Sequence, residues 1–367
     1  MLKKPFLLCI VLVLLGAGQL NSQNAIGTGA ASAAALFERG MQYMANEQWY
    51  SAVEAFLDCL RLNPAHAEGT AALAECYYAL GEFDEALNWV RRARVLSRAN
   101  TSIANLEAST LIALGRLDEA ADVVSGVLAR EPYNREALFV AGELDIARGR
   151  SAEALLRYRG AVHRYPDDRR LLVSLALVSS SLGDSVSALS FVERALNLHP
   201  DDFRVYYHAA YINAQAGRLP QAIRYSEESL GRRPDHGPSL SLLATLRYRN
   251  GEYETAARIA DQLIDANRED MSSWYLKGLS YARLGRSAEA LSILDNALAI
   301  DPGNEIIRAA LEDTLVAVTT LEDPRRAQWA SWHFYRARDF NSRNLVDQAL
   351  FQYRRGLRIN PYARERR

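Results

Sequence analysis

Few side chains in this chain could do chemistry, and their spacing argues against catalysis. The histidines are His66, His163, His199, His208, His236 and His333, and the cysteines are Cys9, Cys59 and Cys76. No two histidines stand four residues apart and no cysteine lies near one at ligand spacing, so no metal is expected. No G-x-S-x-G elbow, glycine-rich phosphate loop or Cys–His nucleophile arrangement occurs, so no catalytic residue and no cofactor are expected and the chain reads as non-enzymatic. Cys59 and Cys76 could pair in an oxidising compartment, but thiols are also good small core residues, and two buried thiols are the favoured reading. Asp167–Asp168 and Asp201–Asp202 could be acid–base pairs in principle. Each pair follows a proline, where carboxylates suit the cap of the next helix.

The elements that carry these residues recur. Alanine returns every 34 residues at 52, 86, 120, 154, 188, 222, 256 and 290. Glycine keeps the same step at 81, 115, 149, 183, 217, 251 and 285, and proline follows the alanine by twelve at 64, 132, 166, 200, 234 and 302. Within 271–302, Trp274, Gly278 and Tyr281 fall on one helical face and Ala290, Leu294 and Ala297 on another. Each repeat is therefore a helix, a glycine turn at positive φ, a second helix and a proline stop. The alanine is expected where the paired helices approach most closely.

In order and spacing these residues resemble the tetratricopeptide repeat, W-x2-L-G-x2-Y, then A-x3-F, then P. Trp274, Gly278, Tyr281, Ala290 and Pro302 match it, with Lys277 in the leucine slot, and so do Gly40, Tyr43, Ala52, Phe56 and Pro64. Glu47 departs from the turn glycine, and Arg98 and Arg268 from the proline. The resemblance implies an all-α, right-handed α-solenoid of stacked antiparallel helix pairs, about nine repeat-like units.

It also implies a concave face built from the second, fifth, ninth, twelfth and thirteenth positions of each first helix. Projected onto this sequence, the early face holds Phe37, Met41, Met44, Glu68, Glu75, Tyr78, Glu136, Phe139 and Glu143. The later face holds Arg204, Tyr207, Tyr211, Tyr248, Arg249, Tyr275 and Arg283, and this is the expected protein-binding groove. Tyrosine and arginine dominate binding hot spots, so an extended peptide or protein segment bearing carboxylates is the expected ligand. The fifth positions (Phe37, Ala71, Asn105, Phe139, Val173, Tyr207, Ser241 and Tyr275) contain no lysine, which argues against the chaperone-tail carboxylate clamp of that family.

The remaining segments set the context. A formal net charge of −1 over 367 residues gives no sign of a nucleic-acid partner. Residues 1–25, with Lys3 and Lys4 before an apolar run from Phe6 to Leu15, have the layout of an export signal or an uncleaved membrane anchor. That segment is the expected membrane contact, and places the protein in the periplasm or at the membrane of a bacterium. A linker is expected over 26–32, eight in-register repeats over 33–302, an inserted or capping helix over 303–322, and an out-of-register ninth repeat over 323–367. Glu312 stands where a small residue belongs, and no polar cap follows Pro361, so either a partner covers the last face or the chain is shorter than its relatives. The whole reads as a protein–protein interaction scaffold of the cell envelope. The alternatives are the regulatory or substrate-binding arm of an envelope enzyme, and a solenoid that binds glycan or lipid.

Overall fold

The computed structural model describes residues 22–362, and the expected export segment lies, up to residue 21, outside them. The described residues form helices and turns without strands, and they cluster into two compact units that divide after Ala161. The first contains α1 (Ser22–Ala45), α2 (Trp49–Leu62), α3 (Ala67–Ala79), α4 (Phe83–Leu96), α5 (Thr101–Ala113), α6 (Leu117–Arg130), α7 (Arg135–Ala147) and most of α8 (Ser151–Arg164). The second contains α9 (Arg169–Ser181), α10 (Ser185–Leu198), α11 (Phe203–Gln215), α12 (Leu219–Arg232), α13 (Gly237–Arg249) and α14 (Tyr253–Ala266). It continues with α15 (Met271–Arg283), α16 (Ser287–Ile300), α17 (Glu305–Val318), α18 (Pro324–Ser342) and α19 (Val346–Ile359). Because α1 starts at Ser22, the 26–32 stretch expected as a linker is helical.

The turn glycines sit at φ between 72° and 84°, a region that a side chain would strain. Glu47 (φ 56°) and Asn344 (φ 58°) occupy the same turn position in the first and last hairpins and carry that strain. The eight periodic alanines are all 0% exposed. A second small residue, twelve before each, is equally periodic: Gly40, Ala74, Ala108, Gly142, Ala176, Ala210, Ala244 and Gly278. Here the pair is tightest, because a Cβ on Gly40, Gly142 or Gly278 would come within 2.5, 2.2 and 2.5 Å of Phe56, Tyr158 and Leu294 respectively. Asp168 and Asp202 cap α9 and α11 by accepting from the Leu171 and Arg204 amides, and Asn100, Asn134, Asp270 and Asn304 do the same one repeat apart.

His66 and His236 stand at this same position and are half-buried. His66 Nδ1 accepts from the Gly69 amide at 3.0 Å, and His236 Nδ1 lies 2.7 Å from Ser239 Oγ. Cys59 and Cys76 are buried free thiols.

After α17 the rhythm changes. Helix α17 packs on α15 and α16 as a next first helix would, while α18 and α19 pair with each other. Glu312, at the small position of α17, is fully buried and answered by other elements. His333 Nε2 lies 2.7 Å from its Oε1, and Arg355 donates to Oε2 at 2.7 and 3.1 Å. Gln352 Oε1 is 2.6 Å from His333 Nδ1. A polar cluster therefore joins the inserted helix to the last hairpin where an interior repeat lays an apolar or aromatic side chain against a glycine.

Candidate binding faces

The first helices expose one stripe each, because their other sides are taken by the paired helix and by the next repeat. In the first compact unit, Phe37, Met41, Glu68, Ala71, Glu75 and Leu106 line a single cleft of about 260 Å3. The second, fifth and ninth positions thus share a face. Burial, and then the neighbouring Glu136, hold the Glu75 carboxyl above the usual carboxylate range. Burial also raises the Tyr78 hydroxyl, with Glu143 and Glu136 adding to the effect, so four of the expected residues converge electrostatically.

In the second compact unit the expected residues form two clusters and one cleft. Tyr207 stands edge-on to His208 and His236, with centroids 5.0 and 5.4 Å away, and its hydroxyl is pushed up by burial and by Tyr211. Tyr211 is 39% exposed. The Arg204 guanidinium lies over the Phe203 ring at 4.7 Å. One repeat further on, Arg283 Nε donates to the Tyr248 hydroxyl at 3.4 Å, and Tyr248 meets Tyr253 edge-on at 5.3 Å. Arg249 is exposed beside them.

Tyr275 belongs to a cleft of about 590 Å3 whose other walls are Glu305, Arg336, Phe351 and Arg355, from α17 to α19. The period could not place Arg336, Phe351 or Arg355, since the register breaks between α17 and the helices that carry them. On the other side of α17 a cleft of about 650 Å3 is lined by Arg308, Trp329 and Trp332. Arg308 lies 4.2 Å from the Trp332 centroid and 5.5 Å from that of Trp329, and Arg336 is 4.8 Å from Trp332. The Trp-x2-Trp spacing on one helix was the available signal. Rings and guanidiniums in these arrangements can hold carboxylates and apolar side chains together. Among the described residues no group of three or more His, Cys, Asp or Glu could hold a metal ion, and no helix is long and apolar enough to cross a membrane.

Comparison with known proteins adds the family. Tetratricopeptide-repeat profiles match residues 111–178, 174–236 and 241–305, and the profile of anaphase-promoting complex, cyclosome, subunit 3 matches 45–127. No curated protein matches the chain. Among solved structures, a tetratricopeptide repeat protein from Parabacteroides merdae is 19% identical over 68% of this chain and 99% of its own, with a TM-score of 0.51. The APC/C hetero-tetramer Cut9–Hcn1 is 13% identical over 90% of this chain and 74% of its own, also at 0.51. At these identities the likeness is one of fold.

Proposed function

Since this chain is built of tetratricopeptide repeats, a fold that serves protein–protein interaction, we propose that it is a non-enzymatic scaffold whose second compact unit binds an extended, carboxylate-bearing segment of a partner protein. The ligand lies across Arg204, Tyr207, Tyr211, Tyr248, Arg249, Tyr275 and Arg283. The observation that carries this reading is that neighbouring first helices leave tyrosine rings and guanidiniums side by side and reachable, as Tyr248 with Arg283 and the exposed Tyr211. Rigid aromatic area beside planar donors is what binding hot spots use. We place the protein in the envelope of a bacterium, exported and periplasmic or membrane-associated, on the strength of Lys3, Lys4 and the apolar run that follows.

A photo-crosslinking residue at position 211, compared with one at Arg258 on the opposite helix of a pair, tests the groove. Position 211 is expected to capture a partner through an acidic extended segment, and capture is expected to fall at least tenfold in the Tyr211→Ala, Arg249→Ala double variant. Equal crosslinking from 258, or capture undiminished in the folded double variant, would refute it. Fractionation with amino-terminal sequencing tests the location; an intact Met1 on a protein confined to the cytosol would overturn it.

A further inference from the structure

The register break after α17 opens the cleft between α16, α17 and α18. In an interior pair a small residue of the first helix lets the second lie close, as Gly278 does for Leu294. One period after Gly278 stands Glu312, whose carboxylate meets the His333 ring at 2.7 Å, so two polar side chains end to end hold α18 away from α17. The space left on one side is the cleft of about 650 Å3, lined by Leu291, Leu311, Leu315, Trp329 and Trp332. The two indoles stand edge-on, with centroids 6.4 Å apart. Leu291 is half-buried, whereas Leu189 and Ile223, at the same place in their repeats, are each 8% exposed.

Arg308 supplies the charge of this cleft. Its guanidinium lies 4.2 Å from the Trp332 centroid and 5.5 Å from that of Trp329. Nη2 donates to the Pro302 carbonyl at 2.5 Å, but Nε is buried without an acceptor, and no carboxylate is bonded to Arg308 among the described residues. Arg336 and Arg355, by contrast, both bond Glu305. Burial, opposed by Glu305 and Glu312, lowers the Arg308 pKa, as expected of a desolvated cation with no anion in contact. Arg325, also on the lining, is held by Asp323 at 2.8 Å. Asp295, on the same lining, is exposed and unanswered among the described residues, because Leu311 and Leu315 stand where Lys277 and Arg247 answer Asp261 and Glu227 in earlier repeats.

We propose that this cleft is a small-molecule site for an amphiphilic monocarboxylate, with the carboxylate on Arg308 and an apolar or aromatic body against the leucines and the indoles. Sites for small ligands span about 300 to 1,000 Å3, which includes this volume. Stacking on the indoles uses the face of the guanidinium and leaves its edge to donate, and that edge matches a carboxylate in plane and charge. Asp295 repels a second negative charge, so a phosphonate or a dicarboxylate is disfavoured.

The probes are phenylbutyrate, its uncharged amide and phenylpropylphosphonate, each titrated into the full chain by calorimetry. Phenylbutyrate is expected to bind at least tenfold more tightly than either of the others. Arg308→Gln should abolish the preference for acid over amide, while Arg308→Lys, which keeps the charge, retains it. Asp295→Asn should narrow the gap to the phosphonate, and Ser292→Trp, at an exposed position on the lining, should block all three probes. Circular dichroism and thermal melts establish that each variant is folded. No saturation at millimolar phenylbutyrate in the wild-type chain, equal affinity for acid and amide, or a preference untouched by Arg308→Gln would overturn the proposal. So would a blocked dipeptide of glutamate and phenylalanine that binds at least tenfold more tightly than phenylbutyrate, which assigns the cleft to a polypeptide. The Tyr211→Ala, Arg249→Ala chain is expected to bind phenylbutyrate normally, which separates this cleft from the groove.

Discussion

Replacing Glu312 with alanine should loosen the end of the second compact unit and leave the first alone. The carboxylate is 0% exposed and accepts from Arg355, whose side chain is 11% exposed, beside a fully buried His333. Removing it leaves a cation and an imidazole in a dry interior with one partner fewer each, a loss that costs about 3 to 5 kcal/mol for a buried pair broken on one side. Arg355 keeps a second partner, Glu305 Oε2 at 3.0 Å, so the lower end of that range is expected. In a stack of repeats the cost stays near the site, because each hairpin contacts only its neighbours. Hydrogen exchange is therefore the assay. Amides of α17 to α19 should lose protection equivalent to about 3 kcal/mol while those of α3 to α6 keep theirs. Replacing Glu312, His333 and Arg355 together by leucine should recover much of the loss, since an apolar substitute of similar volume removes the desolvation cost as well. Unchanged protection in α17 to α19, or a loss spread evenly over the chain, would refute the view that this cluster holds the last hairpin.

Further outcomes follow from individual positions. Gly142→Ala should destabilise by about 1 to 3 kcal/mol in thermal melts, because its Cβ would meet the Tyr158 ring, whereas Gly126→Ala, with open space around it, should stabilise by about 0.5 to 1 kcal/mol. Glu47→Gly should relieve the positive φ and raise stability by about 0.5 to 1 kcal/mol, read in urea titrations. Burial first, then Arg169 and His236, with Asp202 opposing, lower the His208 pKa from 6.5 to about 4. The unfolded chain therefore takes up the proton first, so stability is full above pH 6.5 and falls by about 3 kcal/mol on descent to pH 4; His208→Gln should flatten that slope. Burial pushes the Cys76 thiol up to about 12, and Cys59 upward as well, so neither should be alkylated at pH 8 until the chain unfolds, as mass spectrometry would show.

Much of the fold is legible in the period alone. A glycine that must take positive φ, a proline that must stop a helix and an alanine that must be small are each dictated by local geometry, so their return every 34 residues specifies helix, turn, helix and stop. The same logic places Tyr207, Tyr211, Tyr248 and Arg249 on outward stripes of first helices. Within the in-register repeats the sequence alone therefore determined which elements form and where they end, though it missed the helical state of 26–32. It could not pair Tyr248 with Arg283, nor set Tyr275 opposite Arg336 and Arg355, because those meetings depend on how successive hairpins stack. Nor could it assign Glu312 its partners, which lie on α18 and α19, beyond the point where the register slips and spacing no longer says which helix faces which. Only the packed chain brings His333 and Arg355 to that carboxylate and sets Arg308 against Trp329 and Trp332, because burial and charge pairing are settled by contacts between elements, which no local preference encodes.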